Sequence, residues 1–313
     1  MQGLVLLHSF SDFFPGYSAS QETYSSRFSV TSDDHYIFNS FFMTSYSSNG
    51  GAIYYSCSSN RILIEESTFY YCNCTGYGGA VYIASSNSFV LHKSCGKNCR
   101  VSSDSHFIDS TSSNTHRYIY VSVDNCPNDY CGTHFSFRIA NGIQVISNLN
   151  SSDNKVPYHA GGGFYPSDIS NISLSTIVNN KPTGYITVSF YLSASSKPII
   201  ENTNFVGNKG GGLGVIYASG TGPVSFKMCV FSNNMNSLFY GSVLVTDSLI
   251  FHSEAVGTVY PTVLQVPETI QIEHYGNIIC HADILIGKNE RVTNRFQRFS
   301  RAITILNLYI FIV

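Results

Sequence analysis

The feature that most constrains the fold is an internal repeat with a period near 27 residues. Gly50-Gly51-Ala52-Ile53-Tyr54 returns as Gly78-Gly79-Ala80-Val81-Tyr82 at an offset of 28. Looser copies stand at Gly161-Gly162-Gly163-Phe164-Tyr165 and Gly212-Leu213-Gly214-Val215-Ile216-Tyr217. A second element runs in phase with the first. It has an apolar residue, four mostly polar ones, then an aromatic or aliphatic residue followed three positions later by Asn. Its copies are Ile172 to Ile177 with Asn180, Ile200 to Phe205 with Asn208, and Phe226 to Phe231 with Asn234. Ile37 to Phe42 and Ile64 to Phe69 fit the same frame, with Ser45 and Cys72 in the place of Asn.

A period of 27 is too short for a propeller blade of about 40 residues, and it suits one coil of a parallel β-solenoid. In such a coil short strands meet at tight corners, and each strand pairs with its counterpart one turn along. Inward positions then stack at the strand spacing of about 4.8 Å. The expected fold is all-β: a right-handed parallel β-helix, a pectin-lyase-like solenoid of about ten coils of roughly 27 residues. Phe69, Phe205 and Phe231 are expected as core knobs. Asn208 and Asn234 are expected at corners, where an amide side chain satisfies turn backbone and left-handed φ is tolerated. Gly50-Gly51 and Gly78-Gly79 should permit a sharp bend where coils approach closely.

Composition agrees with this architecture and excludes others. Charged residues are 12% of the chain, against about 25% in an average globular protein. With 17 Lys plus Arg against 19 Asp plus Glu, no basic surplus exists to neutralise a phosphate backbone, so nucleic acid is not an expected partner. Aromatic residues at 14% supply apolar surface that a disordered chain lacks. No linker divides the chain. Regular coils are expected over residues 37–250. Residues 1–36 then form an N-terminal cap or weak targeting segment, and 251–313 divergent C-terminal coils or a cap, with Pro261 and Pro267 helping to end the stack. The apolar run at residues 3–7 has no basic region before it. The apolar tail at 302–313 follows Arg295, Arg298 and Arg301 but falls short of the roughly 20 residues a span needs, so membrane attachment is left open.

The Gly-Gly-Ala-Ile/Val-Tyr and Phe-x-x-Asn repeats resemble those of polymorphic membrane proteins of intracellular bacteria, over roughly residues 37–249. The coils with Cys in place of Asn, and the richness in Tyr, Phe, Ser and Asn, resemble the β-helix surface proteins of parabasalid protists more closely. The resemblance implies a cell-surface or secreted molecule with an adhesive or antigenic role, whose partner would be a cell-surface protein or a glycan.

Nine cysteines stand at 57, 72, 74, 95, 99, 126, 131, 229 and 280. Cys72, Cys99 and Cys126 are each 27 apart, which puts them in one ladder on neighbouring coils. Stacked side chains run parallel and need not reach disulfide geometry, which favours buried free thiols over bridges. A zinc site at Cys72, Cys74, Cys95 and Cys99 lacks a paired Cys-x2-Cys knuckle. The ten His, among them His8, His35, His92 and His281, show no metal-ligand spacing. Sequons occur at Asn73, Asn150 and Asn171. Catalytic chemistry on a β-helix would use outward carboxylates of adjacent coils, and Asp104, Asp129 and Asp153 are the candidates, although their neighbours read as solvated turns. Ser94-Cys95-Gly96-Lys97 lacks the companion motifs of a Ser-x-x-Lys enzyme, and the glycine run from Gly207 to Gly214 lacks Gly-Lys-Ser/Thr. No cofactor is expected. The leading expectation is a non-enzymatic interaction protein; the alternatives are a polysaccharide lyase or glycosidase, or an inactive fragment of a larger surface protein.

Overall fold

A computed structural model of the chain describes residues 8–127, 134–253 and, for the backbone alone, 260–264. Its strands stack in parallel as a β-solenoid of about eight turns, 23 of them joined in one continuous sheet. Three sheet faces recur in each turn. Along the first, Phe28 pairs with Ile53, Ile53 with Val81 and Val81 with Ile108, and the ladder runs on to Ile216 and Phe239. Along the second, Ile37, Ile64, Leu91, Tyr118, Ile146, Ile172, Ile200, Phe226 and Val245 are in register, and each is buried. The third stacks Phe42 on Phe69, with ring centroids 5.1 Å apart, and later Phe205 on Phe231 at 5.2 Å. Phe69, Phe205 and Phe231 are all within the core. The strand spacing makes such like-on-like stacking the natural way to fill a solenoid interior.

Among the described residues the ladder runs from Gln21 to Leu264. Pairing requires only backbone groups, so the outer turns carry it without the Phe-x-x-Asn signature. The last steps of the second face, Phe226 to Val245 and Val245 to Pro261, are also shorter than 27 residues.

Each turn is bent by single residues in the left-handed region. Between the second and third faces these are Asn39, Glu66, Lys93, Tyr120, Asn148, Leu174, Asn202, Met228 and Asp247. The presence of Leu174 and Met228 shows that stacking overrides the local preference for Gly or Asn. After the third face, Thr44, Tyr71, Asn98, Asn125, Asp153, Asn179, Gly207, Asn233 and His252 take the same conformation. Asn208 and Asn234 therefore do not occupy the left-handed position expected for them; the residue before each does. They lie one step further in, fully buried, in a hydrogen-bonded ladder. The backbone N–H groups of Asn154, Asn180 and Asn208 donate to Oδ1 of Asn180, Asn208 and Asn234 at 3.1, 3.1 and 3.0 Å.

Cys72, Cys99 and Cys126 occupy the early rungs of this same ladder. The Cys99 N–H points to Cys126 Sγ at 3.3 Å, and the Cys126 N–H donates to Asn154 Oδ1 at 2.7 Å. All three are free and buried, as are Cys74 and Cys229. The Cys99 thiol and then burial hold Cys72 well above the ordinary thiol range, and burial and then the Cys126 thiol do the same for Cys99. Cys95 is disulfide-bonded. Cys131 and Cys280 lie outside the described residues, as do the apolar segments at 3–7 and 302–313, Arg295, Arg298, Arg301, Pro267 and His281.

Gly50 and Gly78 have φ of 55° and 61°. Gly51 is required for close approach instead: a Cβ there would lie 2.3 Å from the Gly79 carbonyl oxygen. The Gly161-Gly162-Gly163 run is not a third copy of this corner. Gly162 pairs with Val188, which places it level with Ile53 inside the strand His159–Tyr165. The phenylalanines of the preceding turn explain the glycines. The Phe137 ring fills the space that a side chain of Gly162 would take, and the Phe135 ring that of Gly163.

The N-terminal segment packs along the side of the solenoid. Phe10 and Phe14, in and beside the short helix Phe10–Phe13, cluster with Tyr36, Leu63 and Val90 on the outer side of the second face. Glu65 lies beneath it. Burial would raise its carboxyl, but hydrogen bonds from His92, Tyr36 and His8 hold it at about 2.

Candidate functional site

The outer side of the first face carries the longest array of chemically distinctive side chains. Strand alternation puts one residue per turn there in register: Ser29, Tyr54, Tyr82, Asp109, Arg138, Gly163, Ser189, Tyr217 and Tyr240. Tyrosines thus stand on either side of a charged step. On one side Tyr54 and Tyr82 are 5.8 Å apart, and Tyr77 stacks on Tyr82 at 5.3 Å. On the other, Tyr165 stacks on Tyr191 at 4.5 Å, followed by Tyr217 at 5.8 Å and Tyr240 at 5.7 Å. A parallel row joins His134 to Tyr158 at 5.1 Å and Tyr158 to Tyr185 at 4.9 Å. Tyr185 and Tyr240 are about half exposed.

At the charged step Arg138 bridges two carboxylates. Its Nη1 lies 3.4 Å from Asp104 Oδ2, and its Nε lies 3.4 Å from Asp109 Oδ1. Ser105 Oγ donates to Asp109 Oδ2 at 3.1 Å, and His134 Nδ1 lies 3.6 Å from Asp104 Oδ1. Burial raises the Asp109 carboxyl to about 6, with Arg138 opposing the rise and Asp104 adding to it. Burial also raises Asp104, against the pull of Arg138 and His134. The guanidinium faces the Tyr165 ring at 5.7 Å, so the charged step is continuous with the longer tyrosine row.

The carboxylates expected from the sequence do not all meet here. Asp104 belongs to this step. Asp153 sits at the corner after the third face, with left-handed φ and Asp124, Lys181 and Lys155 as its charged neighbours. Asp129 is outside the described residues. The partners that matter, Asp109 and Arg138, escaped the sequence reading because each occupies a strand position that only the register exposes. Aligning the outward residue after Ile53, Val81 and Ile108 would have set Asp109 next to Tyr82 and in line with Tyr54.

A concavity of about 280 Å³ lies where the N-terminal segment leaves the second face. Phe13, Phe14, Tyr17, Arg61 and Arg117 line it, and the Arg61 guanidinium lies over the Tyr17 ring. Ser94, Cys95 and Lys97 are part of the long strand Val81–Lys97, and Gly207 to Gly214 form the approach to the first face. No helix among the described residues is long and apolar enough to cross a membrane. No protein-family model, curated protein or solved structure matches the chain.

Proposed function

We propose that the protein is a non-enzymatic right-handed β-helix, displayed at the cell surface or secreted, that binds glycans along the outer side of its first face in an adhesive or antigenic role. The observation that carries this reading is the pair of tyrosine rows flanking the Asp104–Arg138–Asp109 step. Tyrosine offers large, rigid contact area at low entropic cost, with an apolar ring for the C–H face of a sugar and a hydroxyl for its polar edge. Arg138 and Asp104 add charge-assisted hydrogen bonds at a fixed place along the rows. Because the solenoid sets the spacing, the surface is ordered before a ligand arrives, which lowers the cost of binding.

The test is binding of the full chain to cells and to immobilised glycans, with the bound glycan recovered and analysed for cleavage. The expected result is saturable binding to a defined glycan class that is returned intact. Absence of binding to every cell and glycan tested counts against the reading. Staining unpermeabilised against permeabilised cells tests delivery, and signal confined to permeabilised cells removes the surface role.

A glycosidase or lyase is the second reading, favoured by the Asp109 carboxyl near 6 beside Asp104, since paired carboxyls of unequal acidity serve acid–base chemistry. Burial argues against it. Asp109 is only 1% exposed, beneath Arg138, whereas a catalytic acid must reach the glycosidic oxygen. New reducing ends or unsaturated sugars, lost in Asp104→Asn, would favour the enzyme.

A further inference from the structure

We propose that His8, Glu65 and His92 form a binding site for a divalent transition ion of the zinc class, which fastens the N-terminal segment to the side of the solenoid. Glu65 and His92 are paired neighbours on adjacent turns of the second face, both facing outward and both buried. His8 comes from the segment that crosses over them. Nδ1 of His8 and Nδ1 of His92 each lie 2.8 Å from the same atom, Glu65 Oε1, and the three atoms fall within 4.8 Å of one another. Two imidazole nitrogens and one carboxylate oxygen converging on a point are the donor set of zinc and its borderline neighbours, not of calcium or magnesium, which take oxygen cages.

The surroundings are those of a built site. The other carboxylate oxygen, Oε2, accepts a short hydrogen bond from the Tyr36 hydroxyl, whose oxygen accepts from Gln21 Nε2 at 3.1 Å and lies 3.1 Å from the His8 carbonyl oxygen. Such outer partners orient ligands and raise metal affinity. Phe13 packs within 5.5 Å of the His8 ring and 5.2 Å of the His92 ring, shielding the apolar side. His8 remains about one-third exposed, which leaves an approach for the ion and room for a water as fourth ligand. With an ion bound, each imidazole carries its proton on Nε2 and presents Nδ1 to the metal, in place of the hydrogen bonds to Oε1. The 27-residue period sets Glu65 beside His92, but no spacing in the repeat brings in His8, 57 residues before Glu65.

The test uses the full chain freed of metal with EDTA and titrated with zinc chloride alone, by calorimetry and by the visible absorption of cobalt(II) as a substitute. Wild type is expected to bind one ion per chain at this site and to unfold at a higher temperature with zinc than without. Cobalt(II) should give the visible bands of a nitrogen and oxygen site, without strong sulfur charge transfer. His8→Gln and His92→Gln should each weaken binding by at least about tenfold. His8→Gln lies at the solvent edge and leaves the core intact, so it reads the site even if His92→Gln or Glu65→Gln perturbs folding. No stoichiometric zinc binding to wild type, or binding unchanged in His8→Gln with sulfur charge-transfer bands, overturns the proposal.

Discussion

Asn208→Ala is the sharpest perturbation of the architecture. Asn208 is fully buried at the corner after the third face. Its Oδ1 accepts from the Asn180 N–H at 3.1 Å and from Asn180 Nδ2 at 3.2 Å. Its Nδ2 donates to the Ile177 carbonyl oxygen at 2.8 Å and to Asn234 Oδ1 at 3.2 Å. Alanine removes the acceptor of one backbone N–H and a donor to one backbone C=O, neither of which water replaces. At about 1–3 kcal/mol for each deprived buried group, the loss is about 2–6 kcal/mol. Asn171→Ala, at an exposed site on the second face, should stay within about 0.5 kcal/mol of wild type. Urea unfolding of both variants measures the difference. Amide hydrogen exchange at Asn180 should be read beside it, because repeat arrays can lose all-or-none cooperativity. Asn208→Asp keeps the shape but sets an oxygen against the Ile177 carbonyl, so it should also be destabilising. If Asn208→Ala unfolds at the same urea concentration as Asn171→Ala, with Asn180 still protected, the ladder does not hold the turns together.

Other expectations follow from the same geometry. Phe69→Ala, which empties the middle of a stacked aromatic column, should cost about 3–5 kcal/mol in the same urea assay. Gly51→Ala should destabilise despite its small size, since the new methyl would meet the Gly79 carbonyl and Asn73 backbone of the next turn; wild-type stability would refute the close approach. Cys72, Cys99 and Cys126 should resist alkylation in the native protein and react on unfolding, as mass spectrometry of labelled peptides would reveal. Burial lowers the His116 imidazole to about 4 from an unfolded value of 6.5. The unfolded chain then binds the extra proton, so this contribution is full above pH 6.5 and lost as pH falls toward 4. Its size is on the order of 3 kcal/mol, and His116→Gln should flatten that part of the stability–pH curve.

What the sequence made legible is what repeats. The spacing of Phe69, Phe205 and Phe231 marks an inward position because a solenoid core stacks like on like, and the 27-residue spacing of Cys72, Cys99 and Cys126 marks a shared ladder for the same reason. The link between those cysteines and Asn154, Asn180, Asn208 and Asn234 was visible only as a substitution of Cys for Asn at Cys72. The structure makes it a single ladder, with thiols at one end and amides at the other. The Gly161-Gly162-Gly163 run misled because glycine signals space without saying which neighbour fills it; here Phe135 and Phe137 do. Asp109 and Arg138 stayed hidden because a charge on an outward strand position looks like any surface residue until the register sets it between tyrosines. His8 stayed hidden because its partners are reached through the third dimension alone.

The central claim, recognition along the outer side of the first face, is tested most directly by a footprint. The chain has no Trp, so tyrosine fluorescence reports on ligand binding without an indole background. A glycan retained by wild type is titrated into wild type, into Tyr191→Ala/Tyr217→Ala, and into Tyr46→Ala/Tyr71→Ala, whose tyrosines are exposed away from this face. The account predicts saturable fluorescence change in wild type and in the Tyr46/Tyr71 variant, with at least about tenfold weaker binding in the Tyr191/Tyr217 variant, the equivalent of about 1.4 kcal/mol. Equal affinity in all three would contradict it and place recognition elsewhere on the molecule.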